Sequence, residues 1–513
     1  MTRTNHYNSI CHETGVPRPP AGRDVMCGVP NPAGNRPGHP RNVDRARRQC
    51  GAAYVVALLV TTLLAALVLV FAREMRVQTD ASSNRASQTE ARWIAQGALE
   101  AVRGDLAFVI SQGEPPRLDQ VNPRAQTLGD GLFWLIRPSH TDDTELGFGL
   151  QGEAGKINLD AFAGIDALEL PGMNENLAAA IIDWQDRNPN ITPGGAESAY
   201  YLSRPTPYDI KDRDLETLGE LMYVKGMTAD LLWGEDANRN YKLDPNEDDG
   251  DANPPADNAD GKLDRGFIDY FTVYSADPGR SDSGRPKVTL DIKQSPQQYG
   301  QLRNFLQSQL GEERGEALAQ LSFNKTATAG KNDTFKSVLE FYTETKATEA
   351  EFELVHDGLK RMDNDNVLEG LIDVYHASEP VLAALPGLDV GDARAIIAGR
   401  PEREPDEAVR NIAWVVGVLG EEKAITAARY MTHRSYQFTA DIVAVSGDGR
   451  GFCRLRVVLD CLPVIEGDAA LPVIRHIEDL TAYGWPLDEE VRELLRTGAT
   501  PEEVSAIYSE DSL

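Results

Sequence analysis

The stretch Ala52–Ala72, AAYVVALLVTTLLAALVLVFA, carries no charged residue and lies between Gly51 and Arg73. A helix of about 20 apolar residues crosses the hydrocarbon core of a bilayer. No other stretch of the chain is as long and as apolar. The sequence therefore predicts a single-pass membrane anchor, with residues 73–513 as a large domain on one side of the membrane.

The basic leader, residues 1–51, predicts the orientation of this anchor. Residues 1–50 contain eight Arg, no Lys and three acidic residues, whereas the whole chain has a net charge of −29. Because basic flanks stay in the cytoplasm, we expect the N-terminus to face inward and the bulk of the chain to be exported. The apolar core of a cleavable secretory signal is shorter, about 7–15 residues. Gly51 favours cleavage after the glycine, and an unprocessed signal anchor is the alternative.

Helical periodicity continues beyond the apolar stretch. Ala95, Ala98, Leu99, Val102 and Leu106 recur at spacings that place them on one face of a helix. The pattern predicts one helix of about 55 residues, roughly 80 Å at about 1.5 Å per residue. Its second half is expected to lay an apolar stripe on a β-sheet.

Net charge and cysteine positions indicate whether nucleic acid and disulfide bonds are expected. The acidic pI of about 4.7 repels phosphate backbones, so nucleic acid is not expected as a ligand. Of the five Cys, only Cys453 and Cys461 follow the anchor. They lie eight residues apart on one β-like run, about 26 Å if extended, so no structural disulfide is predicted.

Short repeats organise the middle of the chain. Three modules share an apolar residue, a Gly turn and an apolar helix, around Pro171-Gly172-Met173, Val224-Lys225-Gly226 and Pro386-Gly387-Leu388. Repeated helix–turn–helix units predict a small all-α domain. Residues 155–160 (GKINLD) also resemble residues 286–291 (PKVTLD), which suggests a duplication.

Strand patterns flank this helical middle. Early strands are expected near 132–150, 267–275 (FIDYFTVYS) is a strand candidate, and 436–446 and 452–462 surround a Gly-rich turn that predicts a β-hairpin. This order predicts an α+β fold, with a helical domain inserted into an antiparallel sheet. The expected divisions are a leader (1–51), a transmembrane helix (52–72), a helix with first strands (73–155), an inserted α-domain (156–265), a strand with a second α-rich region (266–430), and a closing hairpin with a tail (431–513).

An acidic loop gives the sharpest chemical signal. Asp236, Asn238, Asn240, Asp244 and Glu247 stand at positions 1, 3, 5, 9 and 12 of a calcium-type loop. Lys242 would offer its backbone carbonyl at position 7. Tyr241 stands where glycine is expected. The spacing predicts bound Ca²⁺ with a structural role, and a solvated acidic linker is the alternative.

Two weaker acidic segments follow this loop. Asn258, Asp260 and Asp264 form a second candidate, although Ala256 and Phe267 occupy its first and twelfth positions. The third, 363–366, is too short to predict a site.

Several motifs together resemble one family. They are residues 155–160, Ile182–Asp186 (IDWQD), Gly194–Tyr201 (GGAESAYY), Glu220–Met227 (ELMYVKGM) and Gly484–Leu487 (GWPL). This set resembles minor pseudopilin K of the type II, or general, secretion pathway. The resemblance covers about residues 45–280 and 430–490, and it is specific only when the motifs are taken jointly.

The resemblance implies a pilin-like fold and a non-enzymatic role in protein secretion. It implies a long N-terminal helix on an antiparallel sheet, with an inserted helix-hairpin-helix or SAM-like domain. It also implies cleavage by prepilin peptidase between Gly51 and Ala52, followed by N-methylation. The implied location is the bacterial inner membrane, with a periplasmic bulk. Other minor pseudopilins and the secreted exoprotein are the implied partners.

Val56, in the anchor, indicates where in a filament such a subunit would be located. Most major pseudopilins carry Glu at mature position five, whereas this chain has Val56, as K-type members similarly lack the glutamate. A buried Glu can neutralise the N-terminus of a neighbouring subunit. A chain without it suits the tip of the filament, where nothing stacks above.

Two other functions compete with this interpretation. A membrane-anchored helix-hairpin-helix DNA receptor would use the Gly turns, but Asn174 and Asp389 replace the second glycine and the net charge is unfavourable. An exported enzyme would use Asp183 with Asp186, or Glu197 beside Tyr200, as an acid/base pair. A polar helix face is the simpler interpretation of those side chains.

Overall fold

The computed structural model describes ten stretches of the chain and two compact units within it. The described residues are 44–118, 121–139, 142–250, 252–255, 257–281, 284–292, 295–328, 334–361, 367–401 and 411–508. The units are Met1–Val77 and Gln78–Leu513. The finer divisions expected from the sequence remain predictions, and residues 1–43 of the leader lie outside the described part.

Helices and short strands alternate along the chain. The α-helices are α1 Asp44–Ser111, α2 Glu175–Gln185, α3 Ser198–Leu202, α4 Ala229–Trp233, α5 Phe267–Tyr270, α6 Pro296–Leu310, α7 Glu312–Thr328, α8 Val338–Thr345, α9 Glu349–Val355, α10 Glu379–Ala383, α11 Val390–Ala398, α12 Trp414–Leu419, α13 Glu421–Ala427, α14 Leu462–Glu466, α15 Glu489–Arg496 and α16 Pro501–Tyr508. The 3₁₀ turns are Glu153–Gly155, Leu159–Gly164, Ala167–Glu169, Leu218–Tyr223, His356–Gly358, Ala428–Tyr430 and Thr481–Tyr483. The strands are β1 Gln126–Leu128, β2 Gly131–Pro138, β3 Leu146–Phe148, β4 Gln151–Gly152, β5 Ile157–Asn158, β6 Phe271–Thr272, β7 Ala276–Pro278, β8 Val288–Thr289, β9 Leu359–Lys360, β10 Val367–Glu369, β11 Ile372–Asp373, β12 Met431–Thr432, β13 Gln437–Val445, β14 Phe452–Asp460 and β15 Val473–Asp479.

The described part of the first unit is the N-terminal part of α1. Gly51 and Ala52 lie within this helix. From Tyr54 to Val77 its large apolar side chains are exposed. By length and composition it is the one described helix suited to crossing a bilayer, and none of its most apolar window is buried by protein. The predicted single anchor therefore exists as a helix with an apolar surface on all sides.

In the second unit, α1 packs on a sheet as the periodicity predicted. Ala91, Ala95, Ala98, Val102 and Leu106 are fully buried. They share one apolar core with inward-facing residues of β2, β13 and β14. The opposite face of the sheet forms another core with α15 and α16. The α+β class is thus confirmed, with the helix on one face and the C-terminal segment on the other.

The sheet is antiparallel and closes with the predicted hairpin. Its order is β1-β2-β13-β14-β15, with β3 on β2 and β4 on β13. The register of β13 with β14 runs from Gln437↔Asp460 to Val445↔Phe452. Gly449 takes φ of +66° in the connecting turn, a conformation that glycine adopts without strain. Cys453 and Cys461 are buried free thiols, as expected.

The helical region inserted between β4 and β13 contains three similar units, where the sequence suggested two. Each unit starts with a two-residue strand that pairs in parallel with a strand at its end: β5 with β6, β8 with β9, and β11 with β12. In each, the second strand residue caps a backbone N–H two residues later. The capping pairs are Asn158 with Asp160, Thr289 with Asp291, and Asp373 with Tyr375. The third copy was not predicted, because its sequence LIDVYH (371–376) does not resemble the other two and shares only this hydrogen-bond geometry with them.

The strand predicted over 267–275 is wrong for its first half. Gly266, with φ of +63°, begins the helical turn α5, and only Phe271 and Thr272 pair as β6. Phe267 and Phe271 are both buried, with ring centroids 5.4 Å apart. Their four-residue spacing is the repeat of a helix turn, and it is hidden in a segment rich in β-formers.

Candidate cation site in the acidic loop

The first acidic loop folds around the Asp236 carboxylate. Its Oδ1 accepts a hydrogen bond from Asn240 N at 2.9 Å, and its Oδ2 accepts one from Tyr241 N at 2.9 Å. Asn238 Oδ1 also accepts from Asn240 N, at 3.0 Å. These bonds reverse the chain direction within six residues and bring positions 1, 3 and 5 to one side.

Asp244 and Glu247 close the loop from its other end. Glu247 accepts from Ala237 N at 2.9 Å and from Asp244 N at 3.1 Å. Asp244 Oδ2 accepts from the side-chain amides of Asn238 at 2.6 Å and Asn240 at 3.0 Å. Hydrogen bonds thus involve all five predicted side chains within one loop, while the carbonyl of Lys242 remains a predicted ligand only.

Burial makes the two end carboxylates costly to ionise. Asp236 is 5% exposed and Glu247 is 1% exposed. Burial, with the nearby Asp236 as a smaller cause, raises the pKa of Glu247 to about 7. Burial likewise raises the pKa of Asp236. A divalent cation would favour the ionised form of both groups.

The donor set fits calcium, with one rearrangement. Hard oxygens from carboxylates and amides are what Ca²⁺ requires. Among the described residues, no three His, Cys, Asp or Glu side chains already converge as a metal cluster. Asn238 and Asn240 now turn their N–H₂ groups toward Asp244. Rotating these two amides would present oxygen on that side, and it would break the hydrogen bonds that their Oδ1 atoms now accept from Asn240 N and Lys242 N.

The second predicted loop is organised differently. Asn258, Asp260 and Asp264 each accept a hydrogen bond from a backbone N–H two residues later. Their side chains are exposed. The third candidate, 363–366, and Ala256 lie outside the described residues. Each of these three side chains therefore orders its own turn, and a shared cation site remains a prediction.

A buried arginine, which the sequence analysis missed, fixes the first loop to the sheet. Arg454 on β14 is fully buried and donates to Asp441 on β13 through Nε at 2.9 Å and Nη2 at 2.8 Å. The same guanidinium donates to the backbone carbonyls of Asn238 at 3.4 Å and Arg239 at 2.5 Å. Arg456 adds a second pair to Asp441, at 2.9 Å. One ionic cluster therefore ties the loop to both strands of the closing hairpin.

Tyr241 explains why the loop lacks its expected glycine. Its φ is +66°, the left-handed conformation that position six requires. Its ring is 8% exposed and lies 5.8 Å from the Arg454 guanidinium and 4.9 Å from that of Arg456. It also joins the core on this face of the sheet, beside Trp134. The side chain anchors the loop, which offsets the strain of its backbone.

The loop between β2 and β3 holds both acidic loops at equivalent positions. Leu243 N donates to the carbonyl of Asp143 at 2.7 Å, and Leu263 N donates to its carboxylate at 3.3 Å. Arg265 completes the contact with an ion pair of 2.7 Å to Asp143. The acidic region thus bridges the helical insertion and the sheet.

The residues that suggested an enzyme or a DNA receptor are used in local structure. Both oxygens of the buried Asp183 accept from Thr192 N, and Asp186 accepts from Asn188 N. Asn174 and Asp389 cap the helices that follow their Gly turns. These contacts account for Asp183, Asp186, Asn174 and Asp389 as residues that order turns and helix ends, whereas Glu197 Oε1 is buried without a hydrogen-bond partner among the described residues.

Known proteins similar in sequence to this chain come from type II secretion systems. A family model described as type II secretion system protein K matches residues 153–233. Type II secretion system protein K of Pectobacterium carotovorum subsp. carotovorum is 25% identical over 198 residues, which are 36% of this chain. The alignment spans 60% of that relative's own length.

A solved structure is also similar. It is the GspK-GspI-GspJ complex of the type 2 secretion system of enterotoxigenic Escherichia coli, with 11% sequence identity and a TM-score of 0.37. The match covers 79% of this chain and 99% of that chain. The family model, over residues 153–233, and the curated relative confirm the resemblance to protein K of type II secretion that was inferred from the motifs.

Proposed function

We propose that this chain is a non-enzymatic minor pseudopilin that caps the tip of the periplasmic pseudopilus in type II protein secretion. The observation that carries the proposal is the family match at residues 153–233, in a chain whose α1 begins as an exposed apolar helix and later packs on an antiparallel sheet. Pilin-type subunits need both properties, because one helix must serve first in the membrane and then in a filament core.

The anchor is proposed to be processed and oriented as the basic leader suggests. Prepilin peptidase would cut between Gly51 and Ala52, and the new N-terminus would be methylated. The mature chain would sit in the inner membrane by residues 52–72, with its bulk in the periplasm.

The tip position is proposed from Val56 and from the size of the insertion. An apolar side chain at this position cannot neutralise the N-terminus of another subunit. Three helical units inserted between β4 and β13 would also occupy the space where a further subunit would stack. Other minor pseudopilins would pack through their own N-terminal helices, and the secreted protein is a further candidate partner.

Association with these partners is the direct test. The full chain, purified from membranes in mild detergent with an affinity tag, is expected to retain other minor pseudopilins in fixed ratio. A control with Ala52–Ala72 replaced by an unrelated transmembrane helix should lose them. A processed chain that purifies alone, or one whose deletion leaves protein secretion intact, would contradict the proposal.

Calcium is proposed as a structural ligand of the first acidic loop. Asp236, Asn238, Asn240, Asp244 and Glu247 would hold it, with the Lys242 carbonyl as a further ligand. Asn258, Asp260 and Asp264 form a weaker second candidate. The ion would supply positive charge to buried carboxylates and so tie the loop to the sheet.

Removing calcium tests this ligand. EGTA should speed proteolysis within 236–247 in the full chain, and Glu247→Gln should resemble the EGTA-treated protein without further response to EGTA. Glu216→Gln, a change of an exposed acid outside the loop, is the control. Equal protection of the wild type with and without EGTA would refute calcium binding.

A further inference from the structure

A cavity of about 260 Å³ lies between the first helical unit, β5 to β6, and the sheet, next to the first acidic loop. Leu218, Trp233 and Ile268 line it from the helical unit, and Val458 of β14 and His476 of β15 line it from the sheet. An apolar cavity of about 150 Å³ is large enough for benzene. This one therefore has room for a single aromatic ring with a short substituent.

The walls of the cavity are mostly apolar and aromatic. Val458 is 5% exposed. The Arg239 guanidinium lies 4.0 Å from the centroid of the Trp233 ring. The Tyr274 ring stacks on His476, with centroids 6.3 Å apart and planes inclined by 23°. Aromatic side chains held by their neighbours in an apolar concave wall are a typical setting for a ring-shaped ligand.

Three polar side chains at the cavity have donors to spare. Among the described residues, the Tyr274 hydroxyl and the Trp233 indole N–H have no hydrogen-bond partner. Lys156 Nζ donates to one group, the carbonyl of Ile268 at 3.2 Å. Burial, with Glu153 and other nearby carboxylates as smaller causes, raises the pKa of Tyr274, so its hydroxyl stays protonated and can donate. Because polar groups inside proteins normally have partners, these donors favour a ligand with an oxygen acceptor.

The charged groups that line the cavity favour a neutral ligand. Apart from the histidine, the described lining has four cations and four carboxylates. Arg239 Nη1 lies 2.8 Å from Glu478 Oε1. The buried Glu153 accepts hydrogen bonds from the hydroxyls of Thr272 and Thr439, each at 2.5 Å. Since neither sign of charge is in excess, an ion would gain no counter-charge here to offset its loss of hydration.

From this arrangement we infer that the cavity binds one aromatic ring that carries a hydrogen-bond-accepting oxygen, as a phenol does. The ring would lie among Leu218, Ile268 and Val458, and its oxygen would accept from the Tyr274 hydroxyl. Because the first helical unit and the sheet both contribute walls, the ligand would hold them together. The inference depends neither on the proposed role in secretion nor on calcium.

Titration of N-acetyl-L-tyrosinamide into the full chain in detergent tests the inference, by saturation-transfer NMR with empty micelles as the blank. Saturable binding is expected, with a dissociation constant of about 1 mM or lower for a ligand of this size. N-acetyl-L-phenylalaninamide lacks the phenol oxygen and should bind about tenfold more weakly, which corresponds to one hydrogen bond. N-acetyl-L-alaninamide lacks the ring and should not bind.

Tyr274→Phe removes a donor but breaks no hydrogen bond of the described chain, so the variant should fold as the wild type does. It should weaken binding of the tyrosine probe about tenfold and leave binding of the phenylalanine probe unchanged. Tyr223→Phe is the matched control, since Tyr223 belongs to the same helical unit, is 56% exposed and does not line the cavity. Leu218→Trp should abolish binding of both probes, because the larger side chain fills the space for the ring.

Absence of saturable binding of the tyrosine probe to the wild type would overturn the inference. So would equal binding of the alanine probe, or equal effects of Tyr274→Phe and Tyr223→Phe. p-Cresol, titrated in the same way, distinguishes the two sources of such a ring. Binding as tight as that of the tyrosine probe indicates a free phenol, whereas binding at least about tenfold weaker indicates a tyrosine side chain of a polypeptide, whose amide groups then add a hydrogen bond.

Discussion

Replacing Tyr241 with glycine separates the two roles of this residue. The ring is 8% exposed, and truncating a buried aromatic side chain costs about 3–5 kcal/mol. Glycine at φ of +66° relieves about 1 kcal/mol of backbone strain. The expected net result is a loss of about 2–4 kcal/mol in the free energy that holds the acidic loop on the sheet.

Amide hydrogen exchange of the peptide 236–247 measures that local free energy directly. A loss of this size should speed exchange about 30- to 1,000-fold, because about 1.4 kcal/mol corresponds to a factor of ten. The full chain in detergent is the sample, compared at equal pH and temperature. Exchange in α11, far along the chain, should not change.

Asp212→Gly is the matched control for Tyr241→Gly. Asp212 also has a positive φ, of +50°, but its side chain is exposed. The substitution relieves similar backbone strain without removing a buried ring, so exchange nearby should stay equal or become slower. If Tyr241→Gly behaves like this control, the ring does not anchor the loop and the reasoning is refuted.

Three further substitutions follow from the same contacts. Arg454→Met leaves Asp441 buried without its main partner and should cost about 3–5 kcal/mol of hairpin stability, measured as hydrogen exchange in β13; an effect below about 1 kcal/mol would contradict the account. Gly195→Ala would place a Cβ against the buried carboxylate of Asp183, so it should destabilise the first helical unit by about 1–3 kcal/mol. Gly219→Ala, whose added Cβ would have its nearest neighbour at 3.9 Å, should not. The Arg314 guanidinium beside Glu351 lowers the pKa of that carboxyl from 4.5 to about 2. The stability that the ionised Glu351 gives to α9 is therefore present above pH 4.5 and lost as pH falls toward 2. Glu351→Gln should remove this acid sensitivity of hydrogen exchange in α9.

Periodic features were predictable from the sequence, because they depend only on neighbours along the chain. The apolar stripe at Ala95, Ala98 and Val102 repeats at helical spacing, and the hairpin around Gly449 has two apolar runs and a Gly-rich turn. The helical class of the insertion also followed from its repeated Gly turns. Each of these signals lies within about 25 residues.

Features that depend on distant segments were not predictable. Arg454 and Arg456 alternate with apolar residues on β14, a pattern that normally indicates a solvent-facing side of a sheet. Here the acidic loop, more than 200 residues earlier in the chain, covers that side. The loop residues themselves were found by their spacing, whereas the reason for Tyr241 became visible only from the contacts of its ring with the two arginines.

Processing at the N-terminus tests the central claim most directly, because a pseudopilin is defined by it. Mass spectrometry of the mature chain isolated from membranes should find Ala52 as the first residue, carrying an N-methyl group. An intact leader, or a cut elsewhere than between Gly51 and Ala52, would contradict the account and leave an ordinary signal-anchored protein.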